Sequence, residues 1–126
     1  MDQEILVADE QKVVTQLEQS EGPTRLAMLL ASDYEPHDSW NFIVSTRGLD
    51  KTSRAESVRL VTDLIRRNVN KSHWSAIMQT TVLKTDDPFV KAINQVFGTT
   101  RVPINIENRN ISGTFINKAI LLKSTK

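Results

Sequence analysis

The sequence predicts an α+β or α/β fold, with a mixed β-sheet of about five strands and helices packed on it. The chain has 126 residues, the length of one ordinary domain, and we expect a single domain over 1–126. Apolar residues make up 39% and charged residues 25%, as in soluble globular proteins. Stretches with helical spacing alternate with short β-branched and aromatic runs, which gives the order α-β-β-α-β-α-β-β.

A helix is predicted for residues 3–20, ahead of the sheet and helices at 24–122. Its apolar residues recur at helical spacings, with Glu, Gln and Lys between them. They are Ile5, Leu6, Val13, Val14 and Leu17. Gly22 and Pro23 end the helix, glycine by its conformational freedom and proline by its missing N–H.

The sequence of residues 24–32, TRLAMLLAS, is compatible with either a helix or a strand. Leu, Ala and Met favour a helix by propensity, whereas a short run between Gly-Pro and a polar connector suits a buried strand. Residues 40–46, WNFIVST, have the β-branched and aromatic composition of a strand. Because the connector DYEPHDS is short and polar, we predict an antiparallel pair, with a strand at 24–32.

A helix followed by a strand is predicted next. Ser53 and Glu56 match a capping box, in which the two side chains satisfy free N–H groups of the first helical turn. The apolar stripe behind them predicts a helix over 53–69, and WSAIMQTTVLK predicts a strand over 74–84. Since a helix connects them, the strands at 40–46 and 74–84 are parallel if they share a sheet.

The segment DDPFVKAINQVFG predicts the last helix. Asp87 before Pro88 fits an N-cap followed by proline at the first helical position, and Gly98 fits a C-cap. Two more strands are predicted in VPINIE and ISGTFINKAILLKS, with the polar turn NRN between them. Gly113, inside the last of these, is expected to mark a bulge.

Composition excludes several kinds of chemistry. The chain has no cysteine, which excludes disulfides, Cys-ligated zinc, iron–sulfur clusters and a thiol nucleophile. His37 and His73 have no metal-binding spacing and no GxSxG elbow is present, so we assign no catalytic residue and lean against an enzyme. No apolar run reaches about 18 residues and no signal peptide is evident, so we expect a cytoplasmic protein without a membrane partner.

Charge is unevenly distributed along the chain, although the net charge is only +1. Residues 1–46 carry two basic and nine acidic side chains, whereas 47–71 and 84–126 each carry seven basic and three acidic ones. Residues 72–83 are uncharged at neutral pH apart from His73. A basic face for an anionic partner fits this pattern. The simpler interpretation is that the acidic segment packs near the basic ones.

Loops that leave parallel strands meet at one edge of a sheet, where ligands commonly bind. The first such loop offers an anion site made of Arg47, Lys51, Thr52 and Ser53. Gly48 would let a ligand approach the backbone closely. The loop matches neither the Walker nor the GxGxxG pattern, so a solvated loop before a capped helix is the simpler interpretation.

Asp50, Asp86 and Asp87 come from the two loops at that edge and form a candidate Mg²⁺ site. Such a site would suit a Mg²⁺-dependent phosphoryl-transfer or nuclease enzyme, and Mg²⁺ is expected as a cofactor only under that hypothesis. A helix cap is the simpler role for Asp87, and a solvated position is the simpler one for Asp86.

Our first functional hypothesis is a non-catalytic interaction module that binds a protein partner or forms a homo-oligomer, through a sheet edge in the C-terminal strands. The Mg²⁺-dependent enzyme is the alternative. A further alternative is a nucleic-acid-binding protein whose basic helix contacts phosphates through Arg54, Arg59, Arg66, Arg67 and Lys71. Ion pairs with Asp63, at helical spacings from Arg59, Arg66 and Arg67, are the simpler interpretation.

Overall fold

The computed structural model describes residues 3–31 and 39–126, and their elements follow the predicted order, with two short 3₁₀ helices added. The α-helices are α1 (Gln3–Glu21), α2 (Arg54–Asn68) and α3 (Pro88–Phe97). The strands are β1 (Thr24–Ala31), β2 (Trp40–Thr46), β3 (Ile77–Val82), β4 (Ile104–Ile111) and β5 (Thr114–Ser124). Ser32 of the predicted first strand and the connector residues 33–38, with His37, lie outside the described residues.

The described strands form a five-stranded mixed sheet in the order β3-β2-β1-β5-β4. β1 lies at its centre and pairs antiparallel with both β2 and β5. β4 pairs antiparallel with β5, whereas β2 and β3 are parallel and α2 connects them. The antiparallel first pair and the parallel strand–helix–strand unit are therefore confirmed.

Helices cover both faces of the sheet. α1 and α2 pack on the face that contains Leu29 and Phe42, and α3 packs on the face that contains Met28 and Ile43. Because side chains alternate along a strand, the neighbours Met28 and Leu29 belong to different cores. β1 is buried on both faces of the sheet. A strand in this position has a continuous apolar sequence without alternation, which explains why TRLAMLLA forms a strand although it is rich in helix-forming residues. No helix in the described residues is long and apolar enough to cross a membrane.

Both predicted helix starts are present. Ser53 Oγ accepts a hydrogen bond from the backbone N–H of Glu56 at 3.2 Å, and Asp87 Oδ1 accepts one from the N–H of Phe89 at 2.8 Å. Pro88 occupies the first turn of α3, where its missing N–H costs nothing. These caps make α2 and α3 begin directly after the loops that follow β2 and β3.

The predicted turn between the last two strands is wrong. β4 continues through the NRN segment to Ile111, and the turn falls at Ser112 and Gly113, whose φ angles are 49° and 87°. Positive φ at two adjacent residues is what a two-residue hairpin turn requires, since it matches the twist of the flanking strands. Gly113 is therefore a turn residue and not a bulge. Asn108, with φ of 48°, instead interrupts the regular pairing within β4.

β3 is shorter than predicted at its start. A 3₁₀ helix at Lys71–Ala76 takes up the first residues of the expected strand. Trp74 Nε1 in that turn donates a hydrogen bond to the carbonyl oxygen of Val69 at 2.9 Å, which ties the turn to the end of α2. Pairing with β2 begins only at Ile77, opposite Trp40.

Candidate functional site

The loops after β2 and β3 meet at one edge of the sheet, as expected for parallel strands. Asp50 accepts two hydrogen bonds from Thr85: Oδ1 from the backbone N–H at 2.9 Å, and Oδ2 from the hydroxyl. Lys84 Nζ donates in turn to the backbone oxygen of Asp50. Asp50 is therefore the residue that joins the two loops, through contacts that need no bound ligand.

We expect Asp50→Ala to lower the free energy of unfolding by about 1–3 kcal/mol, because it leaves the N–H of Thr85 without its acceptor. Denaturant unfolding measures the change. Lys51→Ala, at the exposed neighbouring position, is the control and should stay within about 0.5 kcal/mol of the wild type. Equal small changes in the two variants would show that the Asp50–Thr85 contact does not hold the loops together.

The three aspartates of the candidate Mg²⁺ site have different surroundings. Asp87 caps α3, Asp50 binds Thr85, and Asp86 is exposed. Across residues 3–31 and 39–126, no group of three or more His, Cys, Asp or Glu side chains is arranged to hold a metal ion. The Mg²⁺ site, and with it the phosphoryl-transfer or nuclease activity, stays a prediction.

The four residues of the candidate anion site have different surroundings. Ser53 uses its hydroxyl oxygen to cap α2, while Arg47 and Lys51 are exposed. Of the four, Thr52 lines a neighbouring cavity of about 240 Å³ between α2 and the end of β3. Anion binding by this loop also stays a prediction.

Gly48 lies against the end of α1 and does not face an open ligand site. A Cβ at this position would stand 2.8 Å from the Cα of Glu21, and nearer still to its carbonyl oxygen. Nearby, Ser57 lines the 240 Å³ cavity with a buried hydroxyl that has no hydrogen-bond partner in the described part of the chain. A cavity of this size has room for a water molecule, which is the simplest partner for that hydroxyl.

The basic face of α2 is exposed, but the expected ion pairs are not formed. Arg59, Arg66 and Arg67 all face solvent. Asp63 makes no ion pair with them among the residues that the structure describes. Exposed ion pairs contribute only about 0–1 kcal/mol, which is too little to hold long side chains in one geometry. Nucleic-acid binding by this helix stays a prediction, and a steep loss of affinity with salt would be its mark.

β3 and β4 are the edge strands of the sheet and present unpaired backbone groups along their outer sides. β4 carries the exposed charges of Glu107 and Arg109, and Asn108 between them breaks its regular geometry. Charges and irregularities of this kind prevent edge strands from pairing with other chains. The C-terminal edge of the sheet is therefore poorly suited to strand pairing.

β3 differs from β4 because it carries no charge, although its pairing with β2 contains a bulge at Met78, between the pairs Trp40–Ile77 and Asn41–Gln79. Its sequence, IMQTTV, contains no charged residue, no proline and no glycine. Met78 is 54% exposed, and Trp74, in the 3₁₀ turn just before the strand, is 36% exposed, so both add apolar surface at this edge. Within the described structure, residues 79–82 of β3, after the bulge, are better suited than β4 to accept another strand.

Segment 72–83 is the sequence signal that points to this edge, because it is the long uncharged section of the chain. Lack of charge alone is ambiguous, since a buried central strand has the same composition. The strand order places β3 at one end of the sheet, and only this order shows that the uncharged segment forms an edge strand.

No family model matches this sequence, and no curated protein or solved structure matches it either.

Proposed function

We propose that the protein is a non-catalytic interaction module that forms a homodimer by pairing the β3 strands of two copies. The observation that supports this proposal is an exposed edge strand without a single charged residue. Pairing would satisfy the outward N–H and C=O groups of β3, which otherwise depend on water. The regularly paired residues 79–82 of β3, after the bulge at Met78, offer an edge about 13 Å long, at roughly 3.3 Å per residue.

A second copy of the chain fits β3 because the strand is complementary to itself. Around a two-fold axis, β3 meets β3 in the antiparallel direction and each residue exchanges contacts with its counterpart. No like charges face each other in this arrangement, and polar side chains such as Gln79 and Thr80 can form cross-strand pairs. Two five-stranded sheets then join into one continuous sheet.

Apolar surface beside the strand adds to the affinity of this pairing. Backbone hydrogen bonds exchange water for protein partners and contribute modestly in net terms, about 1 kcal/mol each. Met78 and Trp74 keep part of their apolar surface exposed at this edge. Burying that surface contributes roughly 25 cal/mol per Å², which favours association beyond the hydrogen bonds alone.

We expect the wild-type chain to have about twice its 14.3 kDa chain mass in light scattering coupled to size-exclusion chromatography. Gln79→Lys should be monomeric at the same concentration, because it places a like charge near its own counterpart across the two-fold axis. Gln79 is exposed, so the substitution leaves the core of the monomer intact.

Asn105→Lys is the matched control, since it adds the same charge at an exposed position of the other edge strand, β4. This variant should remain dimeric. A monomeric wild type would overturn the homodimer, and strand addition by a different protein would then be the remaining form of an interaction module. A dimer that survives Gln79→Lys but dissociates in Asn105→Lys would place the interface at β4.

A further inference from the structure

A cavity of about 480 Å³ lies beside α3, on the face of the sheet opposite α1 and α2. Its lining comes from the start of β1, the loop before α3, α3 itself and the residues after β5. All seven lining residues carry groups that can bind a polar ligand: Arg25, Thr85, Asp86, Lys91, Asn94, Gln95 and Lys126. The volume falls in the range of small-molecule sites, roughly 300–1,000 Å³.

The cavity is positively charged. Arg25, Lys91 and Lys126 bring three cations to it, against the single carboxylate of Asp86. None of the three cations forms an ion pair with a residue that the structure describes. Cations that line one cavity without a protein partner attract an anion from solution.

Asn94 supplies a buried and oriented polar group to this cavity. Its side chain is only 7% exposed, and its Oδ1 accepts a hydrogen bond from Ser124 Oγ at 2.6 Å. This bond fixes the orientation of the amide, so that its NH₂ group remains as a donor. No described residue accepts a hydrogen bond from that NH₂ group. A ligand acceptor in the cavity would satisfy it.

We propose that this cavity binds a small organic phosphate. The planar fork of Arg25 matches phosphate oxygens, Lys91 and Lys126 add positive charge, and the Asn94 amide donates a neutral hydrogen bond. The cavity is larger than a bare phosphate group, so it also accommodates the organic part of the ligand. This site is separate from β3 and does not depend on dimer formation.

Asp86 gives the same site a second specificity. A carboxylate among cations repels phosphate but accepts hydrogen bonds from hydroxyl or amino groups. Asp86 therefore binds the hydroxyl or amino groups of the organic part, while the cations bind the phosphate. A cation such as Mg²⁺ is disfavoured in this cavity, because three positive side chains line it together with one side-chain carboxylate.

An NMR titration of the full chain with inorganic pyrophosphate tests this site. We expect saturable shifts of the backbone amide signals of Thr85 and Asn94. Arg25→Gln and Lys91→Gln should each weaken binding by about tenfold, because each removes a charge-assisted contact. Asp86→Asn should strengthen binding severalfold, since it removes a like charge. Weaker binding by Arg25→Gln and stronger binding by Asp86→Asn could not both result from a general loss of folded structure.

Lys71→Gln, at an exposed lysine outside the cavity, is the control and should leave the affinity unchanged. Citrate, an anion without phosphate, should bind more weakly than pyrophosphate. The proposal is overturned if pyrophosphate gives no saturable shift, if Arg25→Gln binds as well as the wild type, or if Lys71→Gln weakens binding equally. Tighter binding of citrate would overturn the preference for phosphate.

Discussion

Replacing Glu10 with methionine is expected to stabilise the protein by about 3 kcal/mol at pH 7 and by more at pH 8. Glu10 lies in α1 and is fully buried, and neither of its carboxylate oxygens has a hydrogen-bond partner among the described residues. Burial in the protein interior, with a smaller effect of the neighbouring Asp9, raises the pKa of Glu10 from 4.5 to about 8. Ionising this carboxyl group therefore opposes folding.

The direction of the pH dependence follows from this raised pKa. Between about pH 4.5 and pH 8 the folded protein holds a proton on Glu10 that the unfolded chain has lost. The stability associated with the protonated form is fully present below pH 4.5, and it is lost as the pH rises toward 8. The loss amounts to about 1.4 kcal/mol per pH unit, or roughly 5 kcal/mol over the whole interval.

Denaturant unfolding at pH 5 and pH 8 measures this effect. The wild type should be less stable at pH 8, and Glu10→Met should remove most of that difference. Glu107→Met, at an exposed position of β4, is the matched control and should keep the pH dependence of the wild type. A wild type that is equally stable at both pH values would contradict the burial of a carboxyl group without partners.

Replacing Gly48 with alanine is expected to lower the free energy of unfolding by about 3 kcal/mol, at the upper end of typical overpacking costs. The new Cβ would stand 2.8 Å from the Cα of Glu21, and nearer still to its carbonyl oxygen. These are backbone atoms at the C-terminal end of α1, so the clash cannot be relieved by a side-chain rotation. Either α1 or the loop after β2 has to move.

A second substitution tests the cause of this loss. Glu21→Ala removes the carboxylate, which would also stand 2.7 Å from the new Cβ. We expect the double variant to be no more stable than Gly48→Ala, because the backbone of Glu21 remains in place. Thermal unfolding of the two single variants and the double variant gives the comparison. Recovery of stability in the double variant would mean that only the side chain was in the way.

Much of the fold follows from local patterns that the structure retains. The capping residues Ser53 and Asp87 fix where α2 and α3 begin, because each makes the expected hydrogen bond to the first helical turn. A helix between β2 and β3 requires these strands to be parallel if they share a sheet, and this brings Asp50 beside Thr85. The meeting of the two loops was predictable without any knowledge of the strand order.

Other features depend on tertiary packing that one sequence does not reveal. Glu10 lies three and four residues before Val13 and Val14, on the apolar face of α1. This spacing is the feature of the sequence that indicates the burial of Glu10. The cation-lined cavity unites Arg25 and Lys91 from segments far apart in the chain, so no local pattern marks it. Ion pairs at Asp63 had the right spacing, but exposed pairs are too weak for spacing alone to establish them.

Hydrogen–deuterium exchange at low and high protein concentration tests most directly whether β3 is the interaction edge. Dimerisation through β3 predicts that the outward backbone amides of Ile77–Val82 exchange more slowly as concentration rises, because they become hydrogen-bonded across the two-fold axis. The amides of β4, Ile104–Ile111, should exchange at the same rate at both concentrations. Exchange in β3 that is independent of concentration, or protection that appears in β4 instead, would contradict the proposed function.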